Sequence, residues 1–90
     1  MLRITTAQTG EGFTIRLEGR LAGPWVYEFL RVLHECGKAL ITVDLSDTTF
    51  ADISGRDALA EAAARGVRFL TADPLMEALV RGSEHAKRNG

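Results

Sequence analysis

Every stretch of this chain with strand character alternates apolar and polar residues, and that period of two restricts the folds open to it. Leu2, Ile4 and Thr6 oppose Arg3 and Thr5, and Phe13, Ile15 and Leu17 oppose Thr14, Arg16 and Glu18. Ile41, Val43 and Leu45 oppose Thr42 and Asp44, and Val67 and Phe69 point inward in a fourth segment that runs to Thr71. Strands buried on both faces read as near-continuous apolar runs, whereas alternation marks a sheet covered on one side. The pattern therefore predicts helices mainly on one face of the sheet. It disfavours the doubly wound dinucleotide-binding folds.

Turn chemistry divides the chain. Thr9-Gly10-Glu11-Gly12 joins the first two strands as a hairpin. Gly23-Pro24 opens a helix, with proline at its first position, and Gly37 stops it. Trp25, Phe29, Val32, Leu33 and Cys36 recur at helical spacing as its core stripe. Val26, Tyr27 and Leu30 widen that stripe, so the helix is either buried on two sides or carries an exposed contact face. A strand over residues 39–45 leads through a polar loop, Ser46-Asp47-Thr48-Thr49, to Phe50-Ala51. A second helix runs from about Ser54 to Arg65 with Leu59, Ala62 and Ala63 inward, and Gly66 ends it. After the strand 67–71, Asp73-Pro74 opens a third helix whose apolar side is Leu75, Met76, Leu79 and Val80. The order is β-β-α-β-α-β-α. A hairpin gives antiparallel neighbours and β-α-β crossovers give parallel ones, so an α/β (α+β-like) chain with a mixed sheet is expected.

Ninety residues make one domain. It is expected to span residues 2–80, followed by a polar, frayed tail over 81–90. Arg81, Lys87 and Arg88 against Glu84 leave the last ten residues at +2 and the rest at −3, for −1 overall. That balance gives no bias toward nucleic acid. Cys36 is the one cysteine, which excludes an intrachain disulfide and fits a reducing, cytoplasmic setting. No charged start with an apolar run marks a signal peptide, and no stretch is apolar enough to insert directly into a membrane.

The chain carries few of the motifs that mark chemistry. There is no phosphate loop of the G-x-x-x-x-G-K-S/T kind and no nucleophile elbow. His34 and His85 lie far apart, and His34 suits the helix dipole in a last turn. No metal-ligand spacing appears, no cofactor is implied, and no catalytic constellation is found, so the chain is not expected to be an enzyme. What remains is Asp52-Ile53-Ser54-Gly55, between the carboxyl end of a strand and the start of a helix, where α/β sheets place functional loops. Ser54 and Asp57 are spaced as a capping box, Gly55 allows tight entry to the helix, and Asp52 complements its positive end. These residues would serve equally well to start a helix and nothing more.

Val43-Asp44-Leu45-Ser46, Phe50-Ala51-Asp52-Ile53-Ser54-Gly55, the small-residue helix ending at Gly66, and the hairpin ending Leu17-Glu18-Gly19-Arg20-Leu21 together resemble the STAS domains. That fold is shared by bacterial anti-sigma-factor antagonists and the cytoplasmic tails of sulfate transporters. The resemblance spans roughly residues 2–80 and implies the same element order. It also implies signalling and transcription regulation through binding an anti-sigma factor, usually a serine kinase with an ATP-binding fold. In the family, that kinase phosphorylates the serine directly after the aspartate, and close to two added negative charges break the complex. Here the acceptor position holds Ile53, which takes no phosphate. Ser54 is the one substitute, and its capping role would compete.

The resemblance thus points to a non-catalytic protein-binding module without the standard switch. Its partner contacts are expected at Asp52, Ile53, Ser54, Gly55, Thr48 and Thr49. Ile53 is either an apolar anchor of the interface or a core side chain under the second helix. A second reading is a small accessory subunit of a lipid-transport ABC complex, docked on a membrane-transporter subunit through the apolar helix around Trp25. A third is a sensor of a nucleotide or other small ligand held between the sheet and the Ser46–Asp52 loop. A weak homodimer is compatible with the first reading.

Overall fold

The computed structural model describes residues 1–71. They form β1 (Leu2–Gln8), β2 (Gly12–Leu21), α1 (Trp25–Glu35), β3 (Leu40–Asp44), β4 (Thr48–Ala51), α2 (Ile53–Ala64) and β5 (Arg68–Leu70). The third helix expected after Asp73-Pro74 and the 81–90 tail lie outside the described residues, as does the domain boundary at residue 80.

The sheet is mixed, as the alternation and connections require. β1 pairs antiparallel with β2, placing Ile4 opposite Leu17 and Thr5 opposite Arg16. β2 runs parallel to β3, and β3 runs parallel to β5. β2 is ten residues long because two strands share one of its edges: β3 pairs with Gly12–Arg16 and β4 with Gly19–Leu21.

The strand β4 is the main departure from expectation, since Thr48 and Thr49 lie in sheet and not in a loop. The chain jogs after β3 in a turn held by Asp44, whose Oδ1 accepts from the Ser46 N–H at 2.9 Å. Thr48 N then donates to Leu45 O at 3.0 Å, and Gly19 N donates to Asp47 O at 3.0 Å, setting the chain alongside the end of β2. Thr48 is buried, and its hydroxyl donates to Leu17 O at 2.8 Å. A β-branched residue whose one polar group is satisfied behaves as a good strand residue despite its polarity.

The apolar face of the sheet and the two helices enclose the core. Ile15, Leu17 and Val43 from the sheet, and Leu45 just past β3, meet Phe29 and Leu33 of α1 and Leu59 and Ala62 of α2. The buried stripe of α1 is Val26, Phe29 and Leu33, so Val26 takes the place expected for Trp25. Trp25 sits at the rim, beside the groove between α1 and the Leu2–Ile4 end of β1. α2 buries Gly55, Ala58, Leu59 and Ala62; Leu59 and Ala62 are as expected, and Ala63 is half-buried. Gly37 (φ +60°) and Gly66 (φ +86°) terminate α1 and α2 in the left-handed region.

The opposite face of the sheet is polar. Arg16 lies across from Asp44, pairs with Asp47, and approaches Glu18 at 3.9 Å. Arg20 stacks over the Phe50 ring at 4.3 Å. Exposed pairs of this kind contribute little to stability, so folding rests on the helix-covered face. Phe29, fully buried at its centre, should be the most sensitive position of α1. Phe29→Ala is expected to cost about 3–5 kcal/mol in urea unfolding, by lost transfer energy and a cavity. A loss below about 1 kcal/mol would show that α1 is not seated on the sheet as described.

Candidate functional site

The four residues Asp52–Gly55 start α2, and each has a separate job. Asp52 is the N-cap, with an extended backbone (φ −77°, ψ −175°). Its Oδ1 accepts from the Gly55 N–H at 2.7 Å, satisfying one of the free donors of the first turn. Its Oδ2 accepts from the Gly23 N–H at 3.0 Å, in the turn that opens α1. The Asp52 N–H donates to Leu21 O, the last residue of β2, at 3.2 Å. One residue therefore ties together the end of β2 and the starts of both helices.

Gly55 completes this junction. It is buried against the end of β2, and a Cβ there would collide with the Leu21 carbonyl oxygen, besides meeting the Leu21 side chain at 3.2 Å. Ser54 is not the cap, which corrects the capping-box expectation. The S-x-x-D spacing is present, but Asp52 lies two residues earlier and takes the donor at the third helical position. The Ser54 side chain stands exposed and is not engaged in capping. Capping therefore does not compete with modification of Ser54.

Ile53 is 71% exposed, so it is not a core side chain under α2. Exposing an isoleucine at the first turn of a helix forgoes the ~2 kcal/mol its burial would contribute. Thr49 is also exposed, its hydroxyl donating to Gly19 O at 3.1 Å. Thr48 and Gly55 are buried and hold the sheet and the helix start, so neither offers a side chain to a partner. Of the six expected contact residues, Ile53, Ser54 and Thr49 face outward, Asp52 is half-buried, and Thr48 and Gly55 serve the fold.

Ser54 lines one end of a groove of 240 Å³ between α1 and α2. Val26 and Ala58 line its base, Tyr27 and Leu30 one side, and Asp57 and Glu61 the other. Tyr27 is 76% exposed. Of the residues that widen the apolar stripe of α1, Val26 is buried, Leu30 is half-buried and Tyr27 is exposed, so the helix is not buried on two sides at Tyr27. No short motif marks Tyr27; the signal was an apolar residue outside the buried arc of its helix.

Among the described residues no group of three or more His, Cys, Asp or Glu side chains could hold a metal ion. No helix among them is long and apolar enough to cross a membrane. Burial pushes the Cys36 thiol above its usual range, and Cys36 packs against the core. The segment expected to roof a small-ligand site holds β4, which pairs with the end of β2 across a bulge at Gly19–Arg20.

No protein-family model matches the chain, and no curated protein matches its sequence. Solved structures do match its fold. An antisigma-factor antagonist STAS domain from Rhodobacter sphaeroides aligns with a TM-score of 0.59 and 23% identity, covering 79% of this chain and 85% of that one. A structure of Mglu aligns at 0.63 and 22% identity over 78% of this chain, and Mglu in its native form at 0.58 and 22% over 77%. The chain spans only 19% and 22% of those two longer proteins. The architecture is thus that of a STAS domain, as the sequence resemblance implied.

Two tests address the junction. Gly→Ala inside a helix ordinarily returns up to about 1 kcal/mol through propensity. Gly55→Ala should instead destabilise by about 1–3 kcal/mol in chemical unfolding, because the overpacked contact is with backbone; a gain in stability would disprove the close approach. Asp52 is the second. The Gly23 and Gly55 N–H groups hold its carboxyl below the ordinary value of 3.8. A carboxylate whose pKa is lowered by folding stabilises fully above its unfolded value, and loses that contribution as pH falls through the folded value. Asp52→Asn, which keeps one acceptor and loses the charge, should therefore be less stable than the parent by a constant amount near neutrality. That difference should shrink as urea titrations move below about pH 3.8. A difference independent of pH down to 2 would remove Asp52 as the charged staple.

Proposed function

We propose that the chain is a non-catalytic regulatory module of the anti-sigma-factor-antagonist kind, acting in the cytoplasm by binding a kinase-fold anti-sigma protein. Its contact surface centres on the first turn of α2, and the serine phospho-switch at position 53 is absent. The observation that carries this reading is Ile53, an apolar side chain 71% exposed in the first turn of α2, next to Ser54, which lines a groove together with the exposed Tyr27. Desolvated apolar anchors supply much of the energy of protein interfaces, and a preorganised anchor loses little entropy on binding. The likeness to the Rhodobacter sphaeroides antagonist supports the class of partner.

In this reading Asp52 and Gly55 present the anchor and do not themselves contact the partner. With isoleucine at the acceptor position, the complex is not broken by phosphate there, so its lifetime is set by affinity and by the partner's nucleotide state.

The test is affinity capture from the native lysate, with mass-spectrometric identification, using the parent chain, Ile53→Asp and the distant surface variant Arg3→Ala. The expected result is a kinase-fold protein recovered by the parent and by Arg3→Ala but at least tenfold depleted with Ile53→Asp. Recovery of permease and ATPase subunits instead would favour the transporter-subunit reading, for which the exposed Tyr27 is equally suited. Equal recovery by Ile53→Asp and the parent would displace the contact surface from α2. Incubation with the recovered kinase and ATP should leave the chain unmodified; phosphate on Ser54 would show that the switch had moved by one residue.

A further inference from the structure

The groove between α1 and α2 has two unlike walls. Tyr27 and Leu30 make one wall, over the apolar base at Ala58. Asp57 and Glu61 make the other, one helical turn apart on α2. The charged side chains lining it are both acidic. Neither Asp57 nor Glu61 belongs to an ion pair among the described residues, whereas Glu28 and Glu35 on α1 both pair with Arg31, at 2.8 and 3.0 Å. Like charges at i,i+4 work against the helix that carries them, by a few tenths of a kcal/mol. α2 therefore presents two like charges one turn apart, across the groove from an apolar wall.

We propose that this groove is the seat for a basic amphipathic helix of the partner protein, whose apolar stripe packs on Tyr27, Leu30 and Ala58 and whose Lys or Arg pair, one turn apart, meets Asp57 and Glu61. The inference deepens the reading above, since it gives the chemistry of the partner surface lying next to Ile53. Complementarity comes from both walls together. Laying an apolar helix face into such a groove is an established recognition mode, with anchors read at i, i+3 or i+4, and i+7. The acidic pair fixes which way the incoming helix is rotated and raises its encounter rate. A partner helix carrying acids on that flank would be rejected by like charge.

The test uses two stapled 14-residue peptides with the same Leu stripe. One carries Lys at two flanking positions four apart, and the other carries Glu there. Titration into the ¹⁵N-labelled chain should shift the amides of Tyr27, Leu30, Asp57 and Glu61 with the Lys peptide. Its Kd should be at least tenfold below that of the Glu peptide at low ionic strength, with the gap narrowing as salt rises. The double variant Asp57→Lys/Glu61→Lys should invert the preference; its fold is checked by circular dichroism, and Tyr27→Ala is the second variant, expected to weaken both peptides alike. Equal binding of the two peptides, or shifts confined to other surfaces, would overturn the proposal. So would a dimer of the chain in sedimentation that the double charge variant dissolves, since it would give the groove to a second copy. The captured partner separates the two readings. If Ile53→Asp abolishes its binding and the double charge variant leaves its Kd unchanged, the contact surface stands and the groove's role fails. If Ile53→Asp leaves partner binding intact while the Lys-peptide preference holds, the groove stands and the reading centred on Ile53 fails.

Discussion

The carboxylate of Asp52 is the point on which the arrangement of this molecule turns. Its two oxygens accept from the turn that opens α1 and from the first turn of α2, while the N–H of the same residue donates to the last residue of the longest strand. Remove it, and two backbone N–H groups at helix starts are left to find water. The apolar core beneath fixes how the helices lie on the sheet. The Asp52 junction fixes how their ends are placed relative to each other, and so the width and lining of the groove between them. Recognition at such a surface depends on positions held within fractions of an ångström, which a core of interchangeable apolar side chains does not supply by itself.

This division of labour separates residues that look alike in sequence. Asp52, Ile53, Ser54 and Gly55 are adjacent, and as a motif they invite a single reading. In three dimensions Asp52 and Gly55 face the protein while Ile53 and Ser54 face away, as the helical turn between them dictates. The two inward members cannot be changed without disturbing the fold, and the two outward ones can. A family pattern that spans such a segment therefore mixes a structural requirement with a functional one, and only the outward half is free to diverge. Ile53, exposed in the outward half, is a residue of that kind.

The sheet, its one-sided covering and the positions of both helices were legible because they follow from periodicity, and periodicity survives without knowledge of tertiary contacts. Alternation in Phe13–Glu18 and Ile41–Asp44 marked strands, and Gly37 and Gly66 marked helix ends through their left-handed backbone. What could not be read depended on partners distant in sequence. Thr48 is a strand residue because Leu17 O receives its hydroxyl, 31 residues away. Asp52 outcompetes Ser54 as cap in part because its second oxygen is held by Gly23, 29 residues earlier. At Asp52–Gly55 the helix start was legible and the separate roles of its residues were not. The exposure of Ile53 and the groove beside Tyr27 emerge only when α1 and α2 are set side by side.

The long strand β2 has a further consequence, for the order in which the molecule assembles. Its pairing with β1 closes across a turn of three residues, which takes little loop entropy. Its pairings with β3 and β4 wait for the chain to cross back over an entire helix. Loop-closure entropy thus favours the hairpin as template, with β3 and β4 as additions along its free edge. Both additions use the same edge of β2, end to end, so the jog at Ser46–Asp47 serves as a register stop. Were β3 to slide by one residue along that edge, β4 would lose its place on the bulge at Gly19–Arg20, and every side chain of β3 would face the wrong side of the sheet.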